Sequence, residues 1–214
     1  GWWCMEAPVT FTFLYCFFWK GGQQSRELVP RLCAALMCMH YFYRGWLYPW
    51  MIRTHPGARN NFSLLPAVGG WLVTVTHGYL NAAWFAEYGR HLRDRRWLSH
   101  PCFIIGISLY LTGFAALVYH DSIMRNLRPC PGGARYCIPH GGLCDYATQA
   151  VYFCELWAWF GFALISCGPN GAFIFLVSLA NLVPRAMASH KWYLANFGDE
   201  YAALNRKYLI PFVW

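Results

Sequence analysis

The run His40-Tyr41-Phe42-Tyr43-Arg44-Gly45-Trp46-Leu47-Tyr48 sets two phenols and a guanidinium, Tyr41, Arg44 and Tyr48, at positions i, i+3 and i+7. On an α-helix that spacing makes one stripe. The surrounding segment, residues 28–52, is otherwise apolar enough to enter a bilayer. A cation at mid-membrane depth costs about 2.5 kcal/mol or more, so it normally faces a polar cavity or a partner. The stripe therefore points to a site for an anionic or carbonyl-bearing ligand inside a membrane protein.

Glu6 opens the apolar segment before it. Consecutive spans run antiparallel, so Glu6 and the late residues of the next span, Tyr41 to Tyr48, can meet. A carboxyl in low dielectric tends to stay protonated. As a neutral acid beside a tyrosine hydroxyl it can donate to a ligand carbonyl, the arrangement that stabilises an enolate. Pairing of Glu6 with a helix-terminal arginine explains the same residue equally well. Asp121, Arg125 and Arg128 follow at i, i+4 and i+7. They form either a solvated face or, with Arg44, Arg53 and Arg185 on the same side, a phosphate-binding cluster, since arginine binds phosphate bidentately. Arg185, His190, Lys191 and Tyr193 read either as part of such a cluster or as a basic anchor at the membrane surface. Glu155 shares a helix face with Tyr152 and Trp159, and a glutamate inside a membrane helix is usually functional. His77 receives no catalytic role.

The elements that must hold these groups are membrane helices. Of 214 residues, 57% are hydrophobic and 12% charged, about half the charge of an average soluble domain at roughly 25%. Six apolar segments, 2–19, 29–52, 63–86, 101–119, 146–167 and 170–187, each approach the roughly 20 residues a bilayer requires. The last is expected to break at Pro184. The chain thus reads as all-α, a single domain over residues 1–214, a polytopic bundle of six transmembrane helices. It opens inside the first span with neither an initiator methionine nor a signal peptide. The net charge of +8 suits anionic lipid and a phosphate-rich cofactor better than nucleic acid, because the arginines lie in short loops between apolar spans. No GxGxxG or GxxxxGK[ST] motif occurs, so a dinucleotide would not sit in a Rossmann or P-loop frame. Cys130, Cys137 and Cys144 recur at seven, with His140 between the last two. That matches no zinc pattern, and no metal is expected. One side of the bundle carries Lys20, Arg26, Arg31, Arg90, Arg93, Arg95 and Arg96. The other carries Arg53, Arg59, Arg125, Arg128, Arg135, Arg185, Lys191, Arg206 and Lys207, a slight excess that favours a cytosolic C-terminus.

Several motifs, taken together, resemble the steroid 5α-reductase (3-oxo-5α-steroid 4-dehydrogenase) family. They are Trp2-Trp3-Cys4-Met5-Glu6-Ala7-Pro8, His40-Tyr41-Phe42-Tyr43-Arg44, Gly78-Tyr79-Leu80-Asn81, Asp121 through Arg128, Ile138-Pro139-His140-Gly141-Gly142-Leu143, Pro184-Arg185-Ala186 and Leu209-Ile210-Pro211-Phe212. The resemblance runs end to end. It departs at Met5, where glutamine is common, and at His55, Leu117, Val151 and Ser189.

The resemblance implies a seven-helix fold whose first helix is missing from this chain. It implies NADPH as hydride donor, reached from the cytosol, and a Δ4-3-ketosteroid arriving from the lipid. Hydride would add to C5 while Glu6 and Tyr41 polarise the 3-keto oxygen, and C4 would then be protonated. Cofactor contacts would fall on Trp2, Arg44, Tyr48, Asp121, Arg128, Glu155, Arg185 and Tyr193, joined by Arg53, Arg125 and His190 of the basic cluster. Trp159 would wall the steroid pocket. The expected protein is an integral, multi-pass monomer of the endoplasmic reticulum in a eukaryote, or of the inner membrane in a bacterium. A trans-2-enoyl-CoA reductase and a non-catalytic sterol-binding protein are the alternative readings.

Overall fold

The computed structural model describes residues 2–53, 64–127, 130 and 136–214. The regular structure is helical, with a single isolated bridge between Ala147 and Lys207 among the described residues. The α-helices are α1 Trp2–Leu14, α2 Leu28–Tyr41, α3 Tyr48–Met51, α4 Leu64–Ala83, α5 Pro101–Asn126, α6 Ala150–Ser166, α7 Pro169–Phe197 and α8 Asp199–Ala202. Three π-helical stretches extend them: Tyr15–Trp19 after α1, Phe42–Leu47 between α2 and α3, and Trp84–Tyr88 after α4. The all-α expectation holds, and six helical runs cover the six apolar segments.

α5 and α7 are long and apolar enough to cross a membrane, and α6 is apolar but shorter. Only 28% of the most apolar stretch of α5, and the same share of α7, is buried inside the protein. A soluble core helix would be mostly buried, so these outward faces suit lipid. The expected break at Pro184 does not occur, because α7 runs through it to Phe197. Proline removes one backbone donor and crowds the preceding turn, yet an apolar helix retains its backbone bonds where water offers no substitute. α5 also outruns its expected end at 119, carrying Asp121 and Arg125 on its final turns.

The chain groups into two compact units. The first contains residues 2–52, 64–108 and 161–174. There α1 runs antiparallel to the α2–α3 run, pairing Trp3 with Trp50 and Phe11 with Trp46. α1 runs parallel to α4, from the Thr74 hydroxyl on the Met5 carbonyl at 2.7 Å to Phe13 against Phe85. Gly78 permits that closeness, since a Cβ there would lie 2.8 Å from the Val9 carbonyl oxygen. The last carbonyls of α6 have no partner within their own helix. The ring N–H groups of Trp84 and His91 donate to Ser166 O at 3.0 and 3.1 Å, and that of Trp97 to Ile165 O at 2.9 Å.

The second unit contains residues 53, 109–127, 130, 136–160 and 175–214. Its core gathers Leu156, Leu182, Ala186 and Leu209, with Leu117, Val151 and Cys154 in a second cluster. Cys130 and Cys137 form a disulfide with Cα atoms 6.0 Å apart, a pairing the sevenfold spacing left unassigned.

Candidate active site

In the first unit, Glu6 is half-buried on the second turn of α1 and packs on Gly45. A Cβ built on Gly45 would lie 3.4 Å from Glu6 Cβ. The expected meeting of the Glu6 end of α1 with the Tyr41–Tyr48 run is therefore present. Tyr41 ends α2 and is buried, its ring 5.5 Å from that of His77 on α4. Met5 and Val9, flanking Glu6, touch Thr74 and Gly78, which flank His77. Glu6 thus packs on the run that begins at Tyr41, and Tyr41 meets His77, so the three residues come from three neighbouring helices.

The expected stripe is altered by the π-stretch Phe42–Leu47. A π-turn takes an extra residue per turn and shifts the phase of everything beyond it. Tyr41 points inward, whereas Arg44 and Tyr48 are half-buried and touch each other, the guanidinium carbon 5.3 Å from the ring centre. Trp2 begins α1, and its side chain lies outside the described residues. Arg53 is exposed just past α3.

His77 belongs to a hydrogen-bond chain that spacing did not reveal. The Asn81 amide donates to His77 O and to His77 Nδ1, both at 2.9 Å, and Asn81 Oδ1 accepts from Asn170 Nδ2 at 2.8 Å. Because Nδ1 accepts, the imidazole is neutral with its proton on Nε2. The Asn81 side chain thus joins buried His77 to buried Asn170 inside the apolar unit.

In the second unit, Asp121 is buried near the end of α5, with Arg125 one turn on. Glu155 and Trp159 lie one turn apart on α6, the first half-buried and the second buried. Arg185 is exposed on α7, its guanidinium carbon 6.0 Å from the Tyr152 ring centre. Tyr193 is buried, stacked on Tyr201 at 5.0 Å and Phe197 at 5.7 Å. His190 lies against Thr148 Oγ1, Nδ1 to oxygen 2.6 Å. That hydroxyl also meets Tyr201 OH at 2.7 Å and donates to Lys207 O at 3.0 Å. A hydroxyl has one proton to give, so His190 Nδ1–H and Tyr201 O–H both donate to it. His190 Nε2 takes no part in these three bonds. Arg128 lies outside the described residues.

Two supports in this unit carried no sequence signal. His120 Nδ1–H donates to Ala116 O at 2.7 Å, and its Nε2 accepts from Leu143 N at 2.9 Å. Gly142, at φ +55°, fits over this ring because a Cβ there would lie 2.7 Å from Nε2. That explains the Gly141-Gly142-Leu143 stretch physically. Arg206, counted above among the tail charges, is buried: Nη1 donates to Pro139 O at 2.7 Å, and Nη2 lies 3.8 Å from Asp145. Asp145 in turn accepts from Gly141 N at 3.0 Å. Burial pushes the Cys144 thiol up to about 11, with Arg206 opposing and Asp145 adding to the rise. That thiol is not a nucleophile at neutral pH.

A family model described as 3-oxo-5-alpha-steroid 4-dehydrogenase matches residues 60–214. The whole chain aligns with 79% of the rat (Rattus norvegicus) 3-oxo-5-alpha-steroid 4-dehydrogenase 1 at 35% identity. It aligns at 33% identity with 79% of the human (Homo sapiens) protein of that name. It aligns at 32% identity with 80% of a steroid 5-alpha-reductase from Solanum lycopersicum. Matches of this identity and extent establish descent, and the chain belongs to the 3-oxo-5-alpha-steroid 4-dehydrogenase family.

Proposed function

We propose that this protein reduces the Δ4 double bond of a 3-oxo-Δ4 steroid, with NADPH as reductant. The observation that carries the reading is the packing of Glu6 on the run that begins at Tyr41, with Tyr41 against His77, among three apolar helices. A carboxyl and a phenol that both reach a ligand's carbonyl oxygen would suit it as it gains negative charge. Family membership and the rat, human and plant relatives' names support the substrate class.

NADPH would supply the hydride that enters the steroid at C5. The chain's own groups suit such a polyanion: the exposed Arg185, Arg125 near its helix end, and His190, held through Nδ1 by Thr148. Trp2, Arg44, Tyr48, Arg53, Asp121, Arg128, Glu155 and Tyr193 complete the proposed cofactor contacts. As C5 gains its new bond, the C4–C5 π pair moves to C3–C4 and charge collects on the 3-oxygen. Glu6 and Tyr41 donate to that oxygen and hold the enolate. A proton then adds to C4 and the carbonyl re-forms. Trp159, large and buried, would line the steroid's apolar pocket.

In this reading each of the six helical runs crosses the bilayer, and the protein is a monomer that takes its steroid from the lipid. The endoplasmic reticulum (in a bacterium, the inner membrane) holds it, with the C-terminus and cofactor contacts facing the cytosol. On that side the Cys130–Cys137 bond meets a reducing compartment and would act as a reversible thiol pair.

The test is NADPH oxidation by purified protein in nanodiscs, with testosterone or progesterone and a long-chain enoyl-CoA as control. Steroid-dependent oxidation yielding the 5α-dihydro product is expected. Oxidation with the enoyl-CoA alone, or steroid binding without turnover, overturns the reading.

A further inference from the structure

At the end of the first unit away from Glu6 lies a half-open surface pocket of about 380 Å³. That is within the range of small-ligand pockets, roughly 300–1,000 Å³. Its charged lining is balanced: Lys20 and Arg93 against Glu27 and Glu87. Among the described residues none of these four forms an ion pair within 4.0 Å. All four are exposed, two of each sign around one space, so a ligand bearing both signs can take the place of the water that solvates them.

One of the four is fixed in place. Gln24 is 3% exposed, and its amide donates to Phe85 O at 3.1 Å and Gly89 O at 2.9 Å. Its remaining group, Oε1, accepts from Arg93 Nε at 2.6 Å. The buried amide thus holds the guanidinium by one N–H and leaves both terminal amino groups for a ligand. That fork suits a phosphate.

The cavity's position names the source. Lys20 follows the helical run 2–19, Glu27 precedes α2, and Glu87 lies in the π-turn ending the run 64–88. The neighbouring aromatics face outward, Phe18 62%, Trp19 81% and Tyr88 60% exposed. Aromatic rings at the ends of apolar helices mark the headgroup level of a bilayer. The apolar flanks of those helices would continue along the acyl chains.

We propose that this cavity binds the headgroup of a zwitterionic aminophospholipid of the phosphatidylethanolamine class. Arg93 and Lys20 hold the phosphate, and Glu27 and Glu87 receive the ammonium. The membrane placement of the helices is shared with the proposed function, but the reductase chemistry is not required.

The test is native mass spectrometry of the full chain released from nanodiscs of equal phosphatidylcholine, phosphatidylethanolamine and phosphatidylglycerol. One retained phosphatidylethanolamine per chain is expected. Arg93→Gln should lower that retention about tenfold, the loss of one charge-assisted contact, whereas Arg95→Gln, outside the cavity, should leave it intact. The pair Glu27→Gln with Glu87→Gln leaves two cations in the lining and should turn the preference to phosphatidylglycerol. Retention of the three lipids in bilayer proportion by the unaltered protein overturns the proposal, whatever the variants' folding. Thermal protection by soluble phosphoethanolamine or inorganic phosphate equal to that by the lipid also overturns it, in favour of a free solute. Steroid turnover is measured on the same samples. Its absence with selective lipid retention would fault the reductase reading and leave the lipid site standing.

Discussion

Glu6 rests on Gly45, with 3.4 Å between the Glu6 Cβ and the place a Gly45 Cβ would occupy. The glycine lets α1 approach the π-stretch closely, one turn beyond Tyr41. Gly45→Ala brings ordinary contact and should change turnover only a few-fold. Gly45→Leu must push α1 away and misplace the carboxyl. Misplacement by about 1 Å can cost on the order of a hundredfold in rate. A drop in kcat with NADPH affinity preserved is expected, read from steady-state rates and cofactor titration. Equal turnover in the leucine variant would remove Glu6 from the chemistry.

The reaction roles have a sharper test in Glu6→Gln and Tyr41→Phe. Each deletes one donor to the developing oxyanion while leaving shape nearly intact. Loss of such a donor typically costs about a hundredfold to a thousandfold in kcat. NADPH binding should stay within about twofold, since neither group is assigned to the cofactor. Parallel loss of cofactor affinity would move both residues to the cofactor's side of the reaction.

For the cofactor itself, Arg185→Ala and Arg128→Ala should raise the NADPH KM with little change in kcat. A charge-assisted hydrogen bond to phosphate contributes about 1.5–3 kcal/mol, or roughly tenfold to a hundredfold in affinity. The wild-type KM should also rise with salt, because exposed charges are screened. An unchanged KM in either variant would return that arginine to the solvated surface.

The Asn170–Asn81–His77 chain predicts a different phenotype. Asn81→Leu leaves His77 Nδ1 and the Asn170 amide buried without partners, at a cost of about 1–3 kcal/mol for each stranded group. A clear fall in thermal midpoint is expected. Because His77 supports the Tyr41 ring, kcat should fall as well, while Asn81→Gln, which keeps an amide, should recover part of both. Loss of stability with kcat intact would make the chain a packing device unrelated to Tyr41.

The meeting of the Glu6 end of α1 with the Tyr41–Tyr48 run was legible in the sequence, because polar groups inside apolar segments have few stable places to go. The phase of the stripe was not, since the π-stretch Phe42–Leu47 depends on packing against α1 rather than on local propensity. Pro184 was misread for the complementary reason: proline breaks a helix that can trade its bonds for water, and α7 exposes its apolar faces. His77 stood out in the sequence and Asn81 lies one turn on, but Asn170, 89 residues further along, is beyond helical spacing. Arg206 entered the sequence reading only in the charge count of one side, because the Pro139 carbonyl that it meets lies 67 residues away.

His91 gives the fold a dependence on acidity. Its pKa is lowered, chiefly by burial, with the Ser166 carbonyl opposing and His100 adding to the fall. The unfolded chain would bind that proton at about pH 6.5, the folded chain only at lower pH. Below that value the unfolded state therefore holds more protons, and stability falls as pH falls through the window down to the folded pKa. The same ring rests on Trp97 at 4.6 Å and donates to the end of α6 at 3.1 Å, so charging it disturbs a helix terminus as well. Thermal midpoints of the detergent-solubilised protein should decline from pH 7.5 to 5.5, and His91→Gln, which cannot titrate, should flatten that decline. An identical slope in the variant would assign the acid sensitivity to another group.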